Sequence, residues 1–425
     1  MEKSILYFKL STGLFLSTFP QILMLLGFIH ISTAPITINT KILYYIYYIK
    51  LKGVIHMMKL TCNKTNLVNG VNIVLKAVSN RTTLPILECI LLQADANKFK
   101  LVSNDLELGI ESQVDATIVQ PGSVALEARI FSEIVKKLPD SIVEISVDEN
   151  NMTTIRCENS QFKIAGQPGV EFPQLPEVEK NNQFSLAQVV LKDMIRQTIF
   201  SVAVEETRQI LTGELLEIKN GSLHIVSVDG YRVSFRKTSL SIENEQIEVV
   251  VPGKTLNEIS KILSSEEEDM VSLYFTDKHV LFDLGNSIVV SRLLEGEFLK
   301  YEQIFSGDYE TKIKVDRREL LMSIERAALI SRENKKNPVK MEITQNQLVI
   351  TSNTELGTAY EQLLIHAEGK DLIIAFNPRY LIDALRAIED EKIQIQFTSS
   401  LSPCIIQPIE GDEYKYLILP IRLNA

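Results

Sequence analysis

Three segments set 125 residues apart put the same charges in the same places: Ala128–Leu138 (ARIFSEIVKKL), Gly253–Leu263 (GKTLNEISKIL) and Pro378–Ile388 (PRYLIDALRAI). The second position is basic in each (Arg129, Lys254, Arg379) and so is the ninth (Lys136, Lys261, Arg386). The sixth is acidic (Glu133, Glu258, Asp383) and the last aliphatic (Leu138, Leu263, Ile388). Recurring Lys and Arg on one surface do one kind of chemistry, a salt-dependent attraction to phosphate that is blind to base sequence. Taken singly, each segment reads as a solvated helix face laced by pairs such as Glu133–Lys136. Three matching copies in an acidic chain turn the reading toward a phosphate-facing surface.

Bond-making chemistry has little to work with. After residue 57 the histidines are His224, His279 and His366, each isolated in the sequence. No H-E-x-x-H, G-x-S-x-G, Walker A or G-x-G-x-x-G motif occurs. Asp229-Gly230 reads as a turn. Cys62, Cys89, Cys157 and Cys404 are far apart and form no C-x-x-C pair, so zinc is not expected; they read as buried free thiols of a reducing cytosol. No catalytic residue, metal or cofactor is therefore expected, and the chain belongs with binding proteins rather than enzymes.

The charged columns need helices to hold them. At about 100° per residue, positions 129 and 136 fall within roughly 20° of each other. Ile130, Phe131, Ile134, Val135 and Leu138 are expected to pack on the other side, with the same geometry at 254/261 and 379/386. Each copy follows a β-rich stretch (SVALEA, EVVVPG, LIIAFN) and precedes alternating strands (VEISV, VSLYF, IQIQF). Each has an earlier helical stretch, at Asn66–Val78, Leu191–Val202 and Arg317–Ile330. The period therefore predicts three similar α+β domains, 58–181, 182–303 and 304–425, with PQLPEVEKNNQ as the first linker. A length of 425 residues accommodates them.

Residues 1–57 do not match the rest. They are rich in Ile, Leu, Tyr and Phe and hold five of the thirteen tyrosines. Leu14–Ile31 resembles a signal h-region or a marginal membrane span. Against this, Met57-Met58 opens a globular pattern, and Lys52-Gly53-Val54 is compatible with purine-rich codons of a ribosome-binding sequence. The segment is read as a mis-called start outside the fold. The alternative function, a membrane-tethered interaction protein, rests wholly on it. Five of the 44 basic residues and one of the 54 acidic ones lie there, so the remainder carries a net charge of −14 rather than −10. Such a balance argues against a protein that binds nucleic acid by its outer surface.

Residues 58–425 resemble the bacterial DNA polymerase III beta subunit, a family of processivity clamps. The resemblance is carried by SNRTTLPIL (Ser79–Leu87), EARIFSEIVKKLPD (Glu127–Asp140), ETRQILTG (Glu206–Gly213), VDGYRV (Val228–Val233), VPGKTLNEISKIL (Val251–Leu263), NPRYLIDAL (Asn377–Leu385) and YLILPIRL (Tyr416–Leu423). It implies three similar sliding-clamp domains and a head-to-tail dimeric ring, with helices lining a central hole and antiparallel sheets outside. The charge conflict then dissolves. A closed ring holds DNA topologically and needs only a mildly positive lining, here Arg81, Arg129, Lys136, Lys254, Lys261, Arg379 and Arg386. An acidic exterior discourages DNA binding elsewhere.

The resemblance further implies a pocket between the second and third domains for short hydrophobic peptides of the polymerase III alpha subunit and the clamp loader. Its residues are Arg208, Leu211, Val228, Gly230, Tyr231, Arg232, Val233, Leu299, Ile304, Asn377, Tyr380, Leu417, Leu419, Pro420, Ile421 and Arg422. Leu211, Val233, Ile304 and Leu419 are expected to form an apolar slot, and Arg208, Arg232 and Arg422 a polar rim. Leu299 stands where many relatives have proline and Tyr231 where they have histidine, departures that bear on peptide preference. The implied dimer contact pairs Phe162 and Ile164 on an edge strand of domain one with Leu329 and Ile330 on a helix of domain three. The expected partners are thus double-stranded DNA, replication proteins and a second copy of the chain, in the cytoplasm, with no membrane.

Overall fold

The computed structural model describes residues 58–79, 82–180, 183–204, 208–240, 246–305, 308–331 and 338–422. Residues 1–57, with the expectations placed on them, and Arg81 lie outside the described residues.

Six α-helices occur among the described residues, two per repeat. They are α1 (Lys64–Val74), α2 (Ala128–Lys137), α3 (Gln188–Arg196), α4 (Gly253–Ser260), α5 (Arg317–Ser331) and α6 (Pro378–Ala387). Their starts are written in side chains. The Asn63 carboxamide oxygen accepts from Thr65 N at 2.8 Å, and Glu127 accepts from Arg129 N and Ile130 N. Asn377 accepts from Arg379 N, with Pro378 in the first turn, where its missing N–H costs nothing.

Two helical expectations need correction. The stretch expected over Leu191–Val202 is helical over Gln188–Arg196 and resumes only as a 3₁₀ turn at Ile199–Ser201. Between them the buried Thr198 turns its hydroxyl back to Met194 O (2.8 Å), a local bond that competes with helix continuation. In α2 the buried face is Ala128, Phe131, Ser132 and Val135, whereas Ile130 is 51% exposed. Spacings of three and four from Ala128 define that face, and Ile130 falls about 150° from its centre. Arg129 and Lys136 therefore flank the packed face rather than oppose it.

The strands among the described residues form four antiparallel sheets. The first, of five strands, runs in the order Ala116–Gln120, Met58–Asn63, Ile142–Val147, Met152–Cys157, Ser160–Ala165. The last, of four, runs Gly357–Leu364, Gln347–Thr354, Val339–Ile343, Leu372–Phe376. Between them lie two sheets of nine strands that cross from one repeat into the next. At the first joint Leu108–Val114 pairs with Ser287–Arg292, placing Gly109 opposite Val290 and Ile110 opposite Val289. At the second, Arg232–Ser239 pairs with Tyr414–Ile418, placing Val233 opposite Leu417 and Ser234 opposite Tyr416. The repeats are thus welded by ladder hydrogen bonds, not merely linked by chain.

The helices form a matching layer. α1 packs on α2, α3 on α4 and α5 on α6. Across the first joint Lys76, in the 3₁₀ turn that prolongs α1, lies 3.9 Å from Glu258 of α4. Across the second, Arg196 at the end of α3 donates to Glu389 just after α6. The row therefore runs α2, α1, α4, α3, α6, α5, and it seals a core in which Phe131, Leu191, Leu256, Leu320 and Leu385 are fully buried. No helix among the described residues is long and apolar enough to cross a membrane.

Candidate functional site

The helix layer carries the repeated basic residues as expected. Arg129, Lys136, Lys254, Lys261, Arg379 and Arg386 are all exposed. Most have acidic neighbours: Arg129 with Glu133 (3.5 Å), Lys261 with Glu258 (2.6 Å), Arg379 with Asp383 (3.9 Å) and Arg386 with Glu325 (2.6 Å). Lys254 reaches across the first joint to Asp105 at 2.8 Å, a hydrogen bond that holds its ammonium above the usual lysine range. Exposed pairs of this kind are weak and screened, so phosphates can compete for the cations. Sequence reading missed Lys76, which shares a cleft at the first joint with Lys254, Lys261 and Ser79. Its helix is not one of the three matching segments, so the repeat gave no sign of it.

The pocket residues converge at the second joint. Leu211, Val228, Val233 and Leu417 are buried in one apolar cluster with Phe235, Phe298 and Tyr301, and Ile304 packs half-buried against it. Over this floor Leu299, Leu419 and Tyr231 are exposed, at 41, 39 and 60%. Gly230 takes φ +83°, the left-handed region, at the turn where the Asp229 carboxylate accepts from Tyr231 N and Arg232 N at 3.1 Å each. Asp229-Gly230 is a turn, as its sequence suggested. The tail crosses the joint here: Leu419 N donates to Tyr231 O (2.9 Å) and Ile421 N to Ala375 O (2.8 Å). Tyr231 stacks on Tyr380, ring centroids 6.0 Å apart. Asn377 and Pro420 are half-buried nearby, while Arg208 and Arg422 are exposed and suit a polar rim.

Arg232 does not belong to that rim. It is 7% exposed and spans the joint. Its guanidinium donates to Asp229 (2.9 Å), to Asp383 of α6 (2.7 Å) and to Phe200 O (2.5 Å), with Tyr380 and Phe200 rings 4.6 and 5.3 Å away. A planar, always charged fork suits such a site. The slot is also more closed than expected, since Val233 and Leu211 are floor. The missed members Phe235, Phe298 and Tyr301 had a partial signal: Phe235 follows Val233 at the two-residue period of one strand face.

Behind the pocket, His224 is isolated in sequence but not in space. Its Nδ1 lies 3.2 Å from Glu217 and 3.0 Å from Tyr301 Oη. Burial holds the imidazole below the usual histidine range, with Glu217 opposing. Burial raises the Glu217 carboxyl too, but bonds from Tyr301, Lys219 and His224 outweigh it and hold it low. The cluster pins the segment bearing Leu299 and Ile304 to the sheet. The four cysteines are free and buried, and burial pushes the Cys62 and Cys404 thiols up to about 12.

Among the described residues each chain-end sheet has two edge strands, and two of these, Ser160–Ala165 and Gly357–Leu364, hold the places that pair at the joints in the other repeats. Phe162 is exposed on Ser160–Ala165 and Ile164 leans on the core. Leu329 is exposed near the end of α5 and Ile330 is half-buried. The other edge, Gly357–Leu364, was not foreseen. It exposes Tyr360 and Leu364, with Leu356 just before it. Strand residues of alternating character flanked by Thr354 and Ile365 were the available signal.

Residues 58–176, 185–300 and 302–422 match, in turn, the N-terminal, central and C-terminal domain models of the DNA polymerase III beta subunit. The chain is 38% identical over 377 residues to proteins named Beta sliding clamp from Staphylococcus epidermidis and Bacillus subtilis, covering 86% of this chain and all of each relative. Among solved structures, a DNA polymerase III beta subunit from Eubacterium rectale is similar with a TM-score of 0.84 at 47% identity, covering 86% of this chain and 100% of that one. The DNA polymerase sliding clamp of Bacillus subtilis is similar with a TM-score of 0.84 at 38% identity, covering 87% and 100%.

Proposed function

This chain belongs to the DNA polymerase III beta subunit family, and on that premise we propose that two copies close head to tail into a ring around duplex DNA, tethering the replicative polymerase. The observation that carries the ring is the repetition of one register at the two joints. Val290 and Leu417 occupy equivalent places in their repeats, and the matching place in the first repeat is Lys163. Gly109 and Val233 correspond in the same way to Thr358. Pairing Ser160–Ala165 of one copy with Gly357–Leu364 of the other in this register sets Phe162 against Ala359 and Ile164 against Gly357. Bulky side chains meet small ones, the same match that lets cross-strand pairs close. Those two edges are then covered, which removes their aggregation hazard. Ring closure would bring the end of α5 beside α2 of the partner, where Leu329 and Ile330 gain cover.

The six-domain helix layer then faces the hole, and its basic residues bear on phosphate without reading bases. The domains are taken as 58–181, 182–303 and 304–425. The pocket at the second joint takes short hydrophobic peptides of the polymerase alpha subunit and the clamp loader. Leu419 and Leu299 flank the apolar floor, and Arg208 and Arg422 orient the peptide. The protein acts as an accessory subunit in the cytoplasm and does no bond chemistry of its own. The test is topological. Loaded onto nicked circular DNA, the protein should be retained at high salt and be released when the circle is linearised. Equal loss from circular and linear DNA would refute encirclement.

A further inference from the structure

The three repeats end one hairpin in the same way, and the third lacks one atom that the others use. The hairpin loops are 105–108, 229–232 and 354–357, flanked by the pairs Asn104–Gly109, Val228–Val233 and Asn353–Thr358. The first loop residue caps its own turn in all three. Asp105 Oδ1 accepts from Glu107 N and Leu108 N, Asp229 Oδ1 from Tyr231 N and Arg232 N, and Thr354 Oγ1 from Leu356 N at 3.2 Å. An aspartate capping with one oxygen has a second to spare. Asp105 Oδ2 takes Lys254 of α4 across the first joint at 2.8 Å. Asp229 Oδ2 takes Arg232, which carries the tether on to Asp383 of α6 at 2.7 Å. Threonine caps the turn with one bond and has no second oxygen, its hydroxyl donating instead to Ile330 O of α5 at 3.3 Å, and position 357, where Arg232 stands in the second copy, is glycine. The helix cation equivalent to Lys254 is Arg129, whose side chain is 85% exposed.

From this we infer that residue 354 sets the lifetime of the closed ring: both joints within the chain carry an ionic tether from this loop position, and the joint between copies lacks one there. The inference rests on the ring reading and its register. Arg129 of the partner subunit then finds no carboxylate at the loop position that Asp105 fills for Lys254, the exposed Glu355 standing one residue further on. An acid restored at 354 keeps the turn cap and supplies the missing oxygen.

Thr354→Asp is the test, with Thr354→Asn as a control that caps the turn without charge. Dimer dissociation is followed by sedimentation velocity on dilution, and ring lifetime by escape from nicked circular DNA. Exposed ion pairs at two symmetric joints should lower the dissociation constant on the order of 2- to 30-fold relative to Thr354→Asn. The gain should fade with salt and vanish when Arg129→Gln is added. Equal dissociation of Thr354→Asp and Thr354→Asn, or a gain that survives Arg129→Gln, overturns the inference while leaving the ring intact. A wild-type protein monomeric at every concentration and not retained on circles would instead overturn the ring reading itself.

Discussion

Removing the Arg232 guanidinium should loosen the second joint far more than it alters any surface. Arg232→Ala deletes three charge-assisted hydrogen bonds and two ring contacts, and it leaves Asp229 and Asp383 facing an apolar seam. Breaking a buried ion pair from one side costs about 3–5 kcal/mol. The carboxylates keep 16 and 24% side-chain exposure, so water relieves part of this, and the lower end, about 3 kcal/mol, is expected. For a unit of two domains that corresponds to about 6–12 °C in thermal midpoint. Scanning calorimetry reads the midpoint. Amide exchange of Arg232–Ser239 and Tyr414–Ile418 reads whether the loss is at the joint. Arg232→Lys should recover only part, since a compact ammonium cannot span three acceptors met by three separate nitrogens or stack flat on rings. A midpoint within about 2 °C of wild type, with peptide binding lost, would return Arg232 to the rim and refute the tether.

Val233→Asp should destabilise the protein as well as abolish peptide binding, because it buries an unpaired carboxylate in the floor; Leu419→Ala, at an exposed position, should weaken peptide binding in titration calorimetry with little change in midpoint. Phe162→Ala combined with Leu329→Ala should give monomers at micromolar concentration by sedimentation, and a tight dimer would refute the contact. Changing Lys136, Lys261 and Arg386 to Gln should leave the fold intact and flatten the salt dependence of retention on DNA, since fewer phosphates are met; an unchanged salt slope would make them ordinary solvated charge. Glu214 is fully buried, its oxygens find no hydrogen-bond partner among the described residues, and burial pushes its carboxyl up to about 8, while the Thr198 hydroxyl that would lower it donates to Met194 O. The folded state then binds more protons than the unfolded between about 4.5 and 8, so stability should fall as pH rises through that window. Glu214→Gln should be less pH-dependent than wild type in thermal midpoint, and parallel curves would refute the assignment.

How much of this was legible depended on range. Local signals carried well: the segments at 128–138, 253–263 and 378–388 do form helices, and Asp229-Gly230 turns where it should. The 125-residue spacing exposed the repeat because equal domains impose equal periods on their core faces. What failed needed partners far away. Arg232 looked like a rim cation because its acid, Asp383, lies about 150 residues on in another charged column. Strand Leu108–Val114 finds Ser287–Arg292 across the first joint, and nothing local in either names the other. Ile130 was misjudged because an apolar residue nearly opposite the packed face was counted as part of it, and α3 stopped early because Thr198 offers its carbonyls a rival bond. The apolar clustering of Leu211, Val233 and Ile304 was expected, but its depth was not, since period two tells which face a strand residue takes and not whether another element covers it.

The two unlike edges at the ends of the chain carry a consequence for copy number. A contact between unlike surfaces has no intrinsic stoichiometry; a third copy could add to a second as readily as the second to the first. If two copies close into the proposed ring, curvature sets the number, with six joints each turning about 60° to complete a circle. Four of those six turns are set inside the chains by the ladders at 108–114 and 232–239, and only two at the contact between copies. A substitution that flattens an internal joint would leave the edges as adhesive as before and yield spirals or filaments in place of a closed pair. Electron microscopy of joint variants should therefore show the fault as a change of shape in the assembly, even where the strength of association is unaltered.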